Sequence, residues 1–300
     1  NQMGIDKYRE LVEQDWEFTK NGVLKLPDEE VARIDAYFAP PQYEKLEDQA
    51  ATIAKWRAGD RAFDRWVRGN VIEHKVPGYA IVNISLKAPG KVPGDITADK
   101  MDAVADLADR YSLGEIRVSH RQNLVLVDVK QSELYELWKK LGPLELVTPN
   151  LGLLSDIICC PGLDFCALAK ARSIPIAQDI SRAFTDLDEL QKIGQFTINI
   201  SGCMNACGHH HVGHIGILGV DKRGEEFFQL TLGGSSDQHA SLGDRLGPGL
   251  PQAEVPAAIR KIVDTYLGIR EQPERFLDTY RRVGIEPFKN AVYGQASQAA

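Results

Sequence analysis

The chain has 300 residues, a formal net charge of −7, and ordinary shares of hydrophobic (43%) and charged (26%) residues. Its length predicts about two domains, and its composition excludes a disordered or collagen-like chain. No apolar run reaches the ~18 residues of a membrane-spanning helix, and an acidic chain lacks the basic surface of most duplex nucleic-acid binders. We therefore expect neither a membrane nor a nucleic acid as a partner. The sequence shows no secretory signal and does not begin with methionine, so we expect part of a longer cytoplasmic protein.

Residues 1–76 are predicted to form a helical segment. Apolar residues recur at helical spacing over residues 5–21, and Pro27 followed by acidic residues begins a second helix that ends near residue 39. Residues 43–70 are rich in Ala, Glu, Lys and Arg, which predicts one or two more helices. This segment contains no chemical motif, so we interpret it as a linker or packing arm.

Residues 77–149 are predicted to form a ferredoxin-like half-domain. The hydrophobic pattern changes at Gly78 from a helical period to a β-rich run. The order β-α-β-β-α-β that follows is that of the ferredoxin-like split βαβ motif. The predicted elements are a strand over 79–86, a helix over 98–111, strands over 115–118 and 124–129, a helix over 131–141 and a strand over 144–148.

Residues 150–300 are predicted to form a second domain of mixed α/β type, and this domain holds all five cysteines. The predicted fold class of the whole chain is therefore α+β. The predicted elements are a helix over 165–184 with Cys166 near its start, strands over 196–201, 214–220 and 227–232, and helices over 254–267 and 275–283.

Four of the cysteines form two spaced pairs, Cys160-x5-Cys166 and Cys203-x3-Cys207, each flanked by Gly or Pro. Their clustering indicates a local metal site in a reducing compartment and not a disulfide framework. Three interpretations follow from the residues alone. The thiols are buried apolar groups, or they bind structural zinc with help from the histidines that begin at His209, or they hold an iron–sulfur cluster. The x5 spacing fits zinc poorly, and we favour the cluster.

The residues around these pairs resemble the signature of the sirohaem-dependent sulfite and nitrite reductases. Residues 201–208 read SGCMNACG, and residues 160–166 read CPGLDFC, with the spacing of that family's first cysteine pair. Residues 117–124, RVSHRQNL, are similar to the strand and turn that contact sirohaem, and residues 230–234, LTLGG, to a later strand. The similarity runs over residues 78–293 and identifies the C-terminal half of the haemoprotein beta-component of such a reductase.

The resemblance implies two cofactors, a [4Fe–4S] cluster and sirohaem, and a set of residues that hold them. Cys207 also ligates the sirohaem iron, so one thiolate joins the two centres. Gln122 and Asn205 match positions that contact sirohaem, and His209 falls where the family places a basic residue near the macrocycle. The implied cluster ligands are Cys160, Cys166, Cys203 and Cys207.

The resemblance also implies the reaction, which is six-electron reduction of sulfite to sulfide or of nitrite to ammonia, with ferredoxin or a flavoprotein as donor. We lean to sulfite. The basic residues that grip the anion come from the other half of family members, so no catalytic residue is assigned here and the N-terminal half of the same longer chain is an expected partner. We expect the isolated chain to be incomplete and to load its cofactors incompletely. Lys170, Arg172 and the histidines at 209–211 are the local cationic candidates.

Two positions depart from the family pattern. His214 stands seven residues after the last cysteine, where a carboxylate is usual, and Cys159 lies beside the first ligand, where a small residue is expected. Cys159 is interpreted as a small apolar group, with a substitute ligand or an oxidation-prone neighbour as the alternative. The alternative for the whole chain is a non-catalytic domain whose four cysteines bind zinc or a cluster.

Overall fold

The computed structural model describes residues 3–22 and 25–294 and divides the chain into two compact units. The first unit, Asn1–Glu44, contains helices α1 (Ile5–Thr19) and α2 (Asp28–Tyr37). Neither helix has a buried residue, and α1 exposes a row of apolar side chains that includes Tyr8 and Trp16. Of the predicted helical segment over residues 1–76, α1, α2 and residues 50–70 form helices, whereas Val71–Glu73 forms a strand. No helix within the described residues is both long enough and apolar enough to cross a membrane.

The second unit, Lys45–Ala300, begins with an antiparallel sheet of four strands in the order β1-β2-β4-β3. Helices pack on this sheet around a core that includes Phe63 and Trp66, both fully buried on α4. This part is the ferredoxin-like half-domain. Its elements are α3 (Ala50–Gly59), α4 (Arg61–Asn70), β1 (Val71–Glu73), β2 (Tyr79–Ile84), α5 (Ala98–Tyr111), β3 (Ile116–Val118), β4 (Leu124–Lys130) and α6 (Leu134–Leu141).

The fourth strand of this sheet comes from an unexpected segment, and the predicted strand over residues 144–148 is wrong. After α6 the chain makes a 3-10 turn, Gly142–Leu144, and Glu145 takes a left-handed conformation (φ 58°) that ends any extended run. The edge beside β2 is instead filled by β1, whose Val71 pairs with Val82 across a short hairpin. Pairing with the immediately preceding chain closes a much shorter loop than pairing with residues 144–148 would, which makes it the cheaper contact in entropy.

The rest of the second unit forms a mixed sheet in the order β10-β8-β7-β6-β5, with β9 pairing β8. Strands β5, β6 and β7 run parallel, and the remaining pairs are antiparallel. The core beside it includes Phe196, Tyr266 and Phe276. The α+β fold class is confirmed. The elements are β5 (Ile158–Cys159), α7 (Ser173–Ala183), α8 (Leu187–Ile193), β6 (Ile198–Ser201), β7 (Ile215–Lys222), β8 (Glu225–Leu232), β9 (Asp244–Arg245), β10 (Leu250–Pro251), α9 (Val255–Ile269), α10 (Phe276–Val283) and α11 (Glu286–Tyr293).

The helix predicted over residues 165–184 begins eight residues later, at Ser173, so Cys166 lies in a loop and not on a helix. Gly162 turns the chain in a left-handed conformation (φ 63°), and Arg172 is still extended. Pro175 then lies in the first turn of α7, where a missing amide hydrogen costs no intrahelical bond. Proline therefore marks the start of this helix.

Candidate functional site at the cysteine loops

Both cysteine pairs follow neighbouring parallel strands at the ends where those strands stop. Strand β5 leads directly into Cys160, and strand β6 leads into Gly202 and Cys203. The carboxyl ends of parallel strands meet at one edge of a sheet, which is where open α/β sheets bind ligands. We call residues 160–172 the first cysteine loop and residues 202–209 the second cysteine loop.

The first cysteine loop is anchored at its start and then turns tightly. The Cys160 N–H donates to the Ile200 carbonyl at 3.1 Å, which continues the ladder between β5 and β6 for one more residue. The Cys166 N–H donates back to the Gly162 carbonyl at 2.9 Å. A Cβ at Gly162 would lie 2.4 Å from the Ser173 nitrogen, so only glycine fits this turn.

The second cysteine loop contains two non-glycine residues in the left-handed region, Ala206 (φ 57°) and His209 (φ 53°). Such residues are uncommon and cluster at functional sites. They flank Cys207, which is exposed, whereas Cys203 at the start of the loop is buried. The loop is pinned by the Gly208 N–H, which donates to Ser201 Oγ at 3.1 Å. A Cβ at Gly208 would lie 1.9 Å from the Ile200 oxygen, so this backbone approach also requires glycine.

The two loops are joined to each other at Gly202. Its N–H donates to the sulfur of Cys160 at 3.0 Å, and its carbonyl accepts from the N–H groups of Lys170 (2.7 Å) and Ala171 (3.1 Å). A Cβ at Gly202 would lie 2.7 Å from the Ala171 oxygen. The sulfur of Cys160 in the first loop therefore lies against the backbone of Gly202, which immediately precedes Cys203 in the second loop.

All five cysteines are free thiols with different exposure. Cys160 and Cys166 are half-buried. Over residues 3–22 and 25–294, no group of three or more His, Cys, Asp or Glu side chains is arranged to hold a metal ion. That Cys160, Cys166, Cys203 and Cys207 together hold a cluster stays a prediction.

Cys159 differs from these four. It is 4% exposed, and burial raises the pKa of its thiol well above the usual range. Its thiol donates to the Cys160 carbonyl at 3.1 Å. A thiol that is hard to ionise is a poor metal ligand, which supports the interpretation of Cys159 as a small buried group.

Both cysteine loops expose large apolar side chains that the sequence interpretation did not use. Phe165 is 81% exposed and Met204 is 85% exposed. Large exposed apolar patches mark interaction sites, and these side chains lie on both cysteine loops. The signal lay in the apolar residues between the paired cysteines and, for Leu168, just after the first pair. The set is Leu163, Phe165, Leu168 and Met204.

Gln122 lies in the turn between β3 and β4, and its side chain is bonded to the mixed sheet. In a left-handed conformation (φ 58°), it donates from Nε2 to the Cys159 carbonyl at 2.8 Å and accepts at Oε1 from the Cys159 N–H at 3.0 Å. The amide thus occupies the free edge of β5, next to Cys160. Its predicted contact with sirohaem stays a prediction, as does that of Asn205, which is exposed on the second cysteine loop.

A buried ion pair holds the same turn and the start of the mixed sheet together. Lys87 Nζ lies 2.8 Å from Asp156 Oδ1, and Arg121 Nη1 lies 3.2 Å from Oδ2; the Lys87 and Asp156 side chains are 1% and 0% exposed. Lys87 also donates to the Arg121 carbonyl, and Asn123 donates to Asp156 at 3.2 Å. Burial lowers the pKa of Lys87. Burial alone would raise the pKa of Asp156, but the Lys87 charge and the Gly152 N–H outweigh it and keep that pKa below its usual value.

The sequence interpretation missed Lys87 and Asp156. They are separated by 69 positions, and neither belongs to a local motif. Only the alignment of the two sheets brings them together.

The histidine run divides by exposure. His209 and His211 are exposed, and His210 is buried, with its Nδ1 atom without a hydrogen-bond partner among the described residues. Burial lowers the pKa of His210 to about 4. His209 beside Cys207 is therefore free to face a bound group, and its contact with a macrocycle stays a prediction. Arg172, another cationic candidate, is paired with Glu226 at 2.8 Å.

His214 is a core residue. Its ring packs against Phe196 and Phe276, and its Nδ1 accepts from the Thr197 N–H at 3.3 Å. Burial lowers the pKa of His214 to about 4, with the Arg121 charge acting in the same direction. A neutral imidazole replaces the usual carboxylate here and supports the start of β7.

Two family models match the chain. The model described as the nitrite/sulfite reductase ferredoxin-like half domain matches residues 75–144, and the one described as the nitrite and sulphite reductase 4Fe-4S domain matches residues 153–299. The first match covers strands β2, β3 and β4 of the four-stranded sheet, and the second covers both cysteine loops. Together they account for most of the second unit after β1.

Several curated proteins are similar to this chain. An assimilatory-type sulfite reductase of Nitratidesulfovibrio vulgaris is 28% identical over 76% of this chain and 98% of its own length. A sulfite reductase [ferredoxin] 2 of Mycolicibacterium paratuberculosis is 30% identical over 64% of this chain and 36% of its own. An assimilatory ferredoxin-dependent nitrite reductase of Haloferax mediterranei is 30% identical over 61% and 32%. The chain thus spans nearly all of the first relative and about a third of the other two.

Solved structures agree on the fold. The NirA protein of Mycobacterium tuberculosis superposes with a TM-score of 0.65 and 25% identity, over 96% of this chain and 47% of that one. A dissimilatory sulfite reductase I superposes with a TM-score of 0.62 at 14% identity, which is a likeness of fold alone.

Proposed function

Because the chain belongs to the nitrite and sulphite reductase family, which implies a [4Fe–4S] cluster and sirohaem, we propose that it takes part in the six-electron reduction of sulfite to sulfide or of nitrite to ammonia. The observation that carries this proposal is the joint between the cysteine loops at Gly202. A hydrogen bond there joins Gly202 to Cys160, which are 42 positions apart in the sequence. The two cysteine loops therefore lie together at one edge of the sheet.

The residues present fit the cluster. A thiolate that ligates iron keeps its negative charge, and backbone N–H groups offset such charge; the Gly202 N–H already donates to Cys160. Cys207 is exposed between two left-handed residues, so its sulfur is accessible to a second centre. The proposed ligands are Cys160, Cys166, Cys203 and Cys207, with Cys207 also bound to the sirohaem iron.

When bound, the two groups supply electrons to the anion one at a time. The chain's own residues hold and shield them. Gly202 offsets charge at Cys160, Gln122 fixes the backbone beside it, and the exposed Phe165 and Met204 would shield the cluster and the face of the macrocycle from water. Asn205 and His209 lie beside Cys203 and Cys207 and are proposed to contact sirohaem.

The proposal is tested by the metal content of protein purified without oxygen. We expect one acid-labile sulfide for each iron of the cluster, and one further iron for each extractable sirohaem. Cys160→Ser is expected to lose most of the iron, whereas Cys159→Ser, a change of the same kind one residue away, retains it. Zinc without iron in the wild-type protein would favour the alternative, a non-catalytic domain with a four-cysteine metal site, and overturn the proposal.

We propose sulfite as the preferred anion and ferredoxin or a flavoprotein as the electron donor in the cytoplasm. Support for sulfite comes from the Nitratidesulfovibrio vulgaris relative, a sulfite reductase matched along 98% of its length. Four other relatives are described as ferredoxin-dependent or ferredoxin–nitrite reductases. Turnover with each anion under reduced methyl viologen and under reduced ferredoxin tests both points. A higher kcat/KM for nitrite than for sulfite would reverse the assignment.

We further propose that the residues that grip the anion lie in an N-terminal half that completes the site. The ferredoxin-dependent relatives and the NirA structure extend well beyond the matched part, which supports this view. The Nitratidesulfovibrio vulgaris relative supports the opposite outcome. We expect partial cofactor loading and little turnover from the isolated chain. Full sirohaem loading with sustained turnover would refute the need for another half.

A further inference from the structure

Ser173, the first residue of α7, lies beside the sulfur of Cys160. Its Oγ is 3.4 Å from Cys160 Sγ, within hydrogen-bond range for sulfur, and its side chain is fully buried. We propose that the Ser173 hydroxyl sets the redox potential of the cluster by donating to Cys160. This inference rests on the proposed function, in which Cys160 ligates the cluster.

The direction of this hydrogen bond follows from the chemistry. A sulfur bound to iron has no proton to donate, so the hydroxyl of Ser173 must be the donor. The Gly202 N–H is a second donor to the same sulfur, at 3.0 Å. Hydrogen bonds to an ionised acceptor are the stronger kind, and those to cluster sulfurs are among the factors that determine cluster potentials.

The backbone around the hydroxyl is adapted to it. An ideal Cβ at Gly162 would lie 2.8 Å from Ser173 Oγ, and one at Gly202 would lie 2.9 Å from it. Each cysteine loop thus lacks a side chain at the place where the hydroxyl reaches the sulfur. Because Ser173 is fully buried, its hydroxyl has no competing bond to bulk solvent.

The amino end of α7 acts in the same sense as the hydroxyl. The helix has 11 residues, and its first turn contains Ser173 itself. The partial positive charge at a helix amino end favours negative charge nearby. Reduction adds one electron to the cluster, and no bond forms or breaks. Both the hydroxyl and the helix therefore stabilise the reduced state more than the oxidised state.

The test compares two serine variants of the same helix. Ser173→Ala removes the donor to sulfur. Ser181→Ala makes the same chemical change at a buried residue whose hydroxyl donates to the Gln178 carbonyl and accepts from the Gly90 N–H, with no sulfur contact. The midpoint potential is measured by anaerobic titration with dithionite and mediators, followed by electron paramagnetic resonance of the reduced cluster.

We expect Ser173→Ala to disfavour reduction by up to about tenfold, which is ~59 mV to more negative potential for one electron. Ser181→Ala should keep the wild-type potential. Pulsed electron–nuclear double resonance in H2O and D2O should show one exchangeable proton coupling fewer in Ser173→Ala. Ser173→Thr keeps a hydroxyl and should restore both the coupling and the potential.

The outcomes separate this inference from the proposed function. Wild-type protein without iron and sulfide overturns the proposed function. A loaded cluster with the same potential in the wild type and Ser173→Ala overturns the role of Ser173 alone. Equal shifts in Ser173→Ala and Ser181→Ala also overturn it, because they would arise from displacement of α7.

Discussion

The two sheets of the second unit differ in the direction of their strands and in the segments that follow those strands. In the ferredoxin-like sheet all pairs are antiparallel, short turns join β1 to β2 and β3 to β4, and it contains no cysteine. In the mixed sheet, parallel strands β5 and β6 stop at one edge and lead into two irregular loops that carry Cys160, Cys166, Cys203 and Cys207.

The difference shows how a regular scaffold supports an irregular site. The ferredoxin-like sheet contributes one turn to the site, and Gln122 in that turn bonds to the mixed sheet. The buried pair of Lys87 and Asp156 links the same two parts of the unit. The mixed sheet contributes the thiols, on backbone that requires glycine at Gly162, Gly202 and Gly208. Changes at the contact between the sheets should therefore cost stability, and changes in the loops should cost the bound group.

The largest effect on stability is expected at the buried ion pair. Lys87→Met leaves the Asp156 carboxylate buried beside Arg121 without its closest cation, and breaking a buried pair in this way costs roughly 3–5 kcal/mol. Urea unfolding followed by circular dichroism measures the change. As a control, Arg110→Met breaks a surface pair with Glu133 (3.4 Å, Arg110 67% exposed) and should cost less than about 1 kcal/mol. If both variants unfold at the same urea concentration, the pair does not join the sheets.

The next effect is a loss of stability in acid that arises in the mixed sheet. His214 has a folded pKa of about 4 against an ordinary value of 6.5. Above pH 6.5 neither state is protonated there; as the pH falls towards 4 the unfolded chain gains a proton that the folded chain does not bind. Stability is thus complete above pH 6.5 and falls by up to about 3 kcal/mol at pH 4.

His214→Asn keeps an acceptor for the Thr197 N–H and removes this titration. The free energy of unfolding between pH 7 and pH 4 should then fall less steeply than in the wild type. His239→Asn, a change of an exposed histidine, should leave the slope as it is. An unchanged slope in His214→Asn would show that His214 does not cause the acid sensitivity.

Most of the ferredoxin-like sheet could be predicted because its signals are local. A β-rich and mostly apolar run predicted β2, and apolar residues at helical spacing predicted α5. The fourth strand could not be predicted in this way, because β1 and residues 144–148 both offer short extended runs. The choice between them depends on loop length, because β1 pairs with β2 through a much shorter loop than residues 144–148 would need.

The candidate site could be predicted in part for a different reason. Cysteine spacing is a chemical signal that persists in loops, so Cys160 and Cys203 stood out without any knowledge of the fold. Lys87, Asp156 and Ser173 carry no such spacing. Their roles arise only where separate elements meet, and a pattern within one segment does not contain that information.

A smaller effect on stability, with a larger effect on loading, is expected in the second cysteine loop. Gly208→Ala places a Cβ 1.9 Å from the Ile200 oxygen, and overpacking of this kind costs about 1–3 kcal/mol. We expect iron content to fall while the ferredoxin-like sheet stays folded. Gly268→Ala, at a helical glycine with open space around it, should retain iron and gain up to about 1 kcal/mol. Normal iron content in Gly208→Ala would mean that the loop tolerates a different path.

An effect on stability of about the same size as that of Gly208→Ala is expected at Gln122, and a matched glutamine separates it from an effect on function. Gln122→Ala removes both hydrogen bonds to the Cys159 main chain, at about 1–3 kcal/mol for the groups left unpaired. Gln131 also bonds two main-chain groups, accepting from the Gln49 N–H at 2.8 Å and donating to the Tyr79 carbonyl at 3.2 Å, but within the ferredoxin-like part. Gln131→Ala should therefore cost a similar free energy of unfolding.

Iron content then distinguishes the two glutamine variants. Gln122→Ala frees the strand that leads into Cys160, so its iron loading should fall, whereas Gln131→Ala should load as the wild type does. If both variants load equally at equal stability, Gln122 is only one more contact between the sheets. If only Gln122→Ala loses iron, the ferredoxin-like sheet supports the cysteine site through this amide, in addition to its contribution to folding.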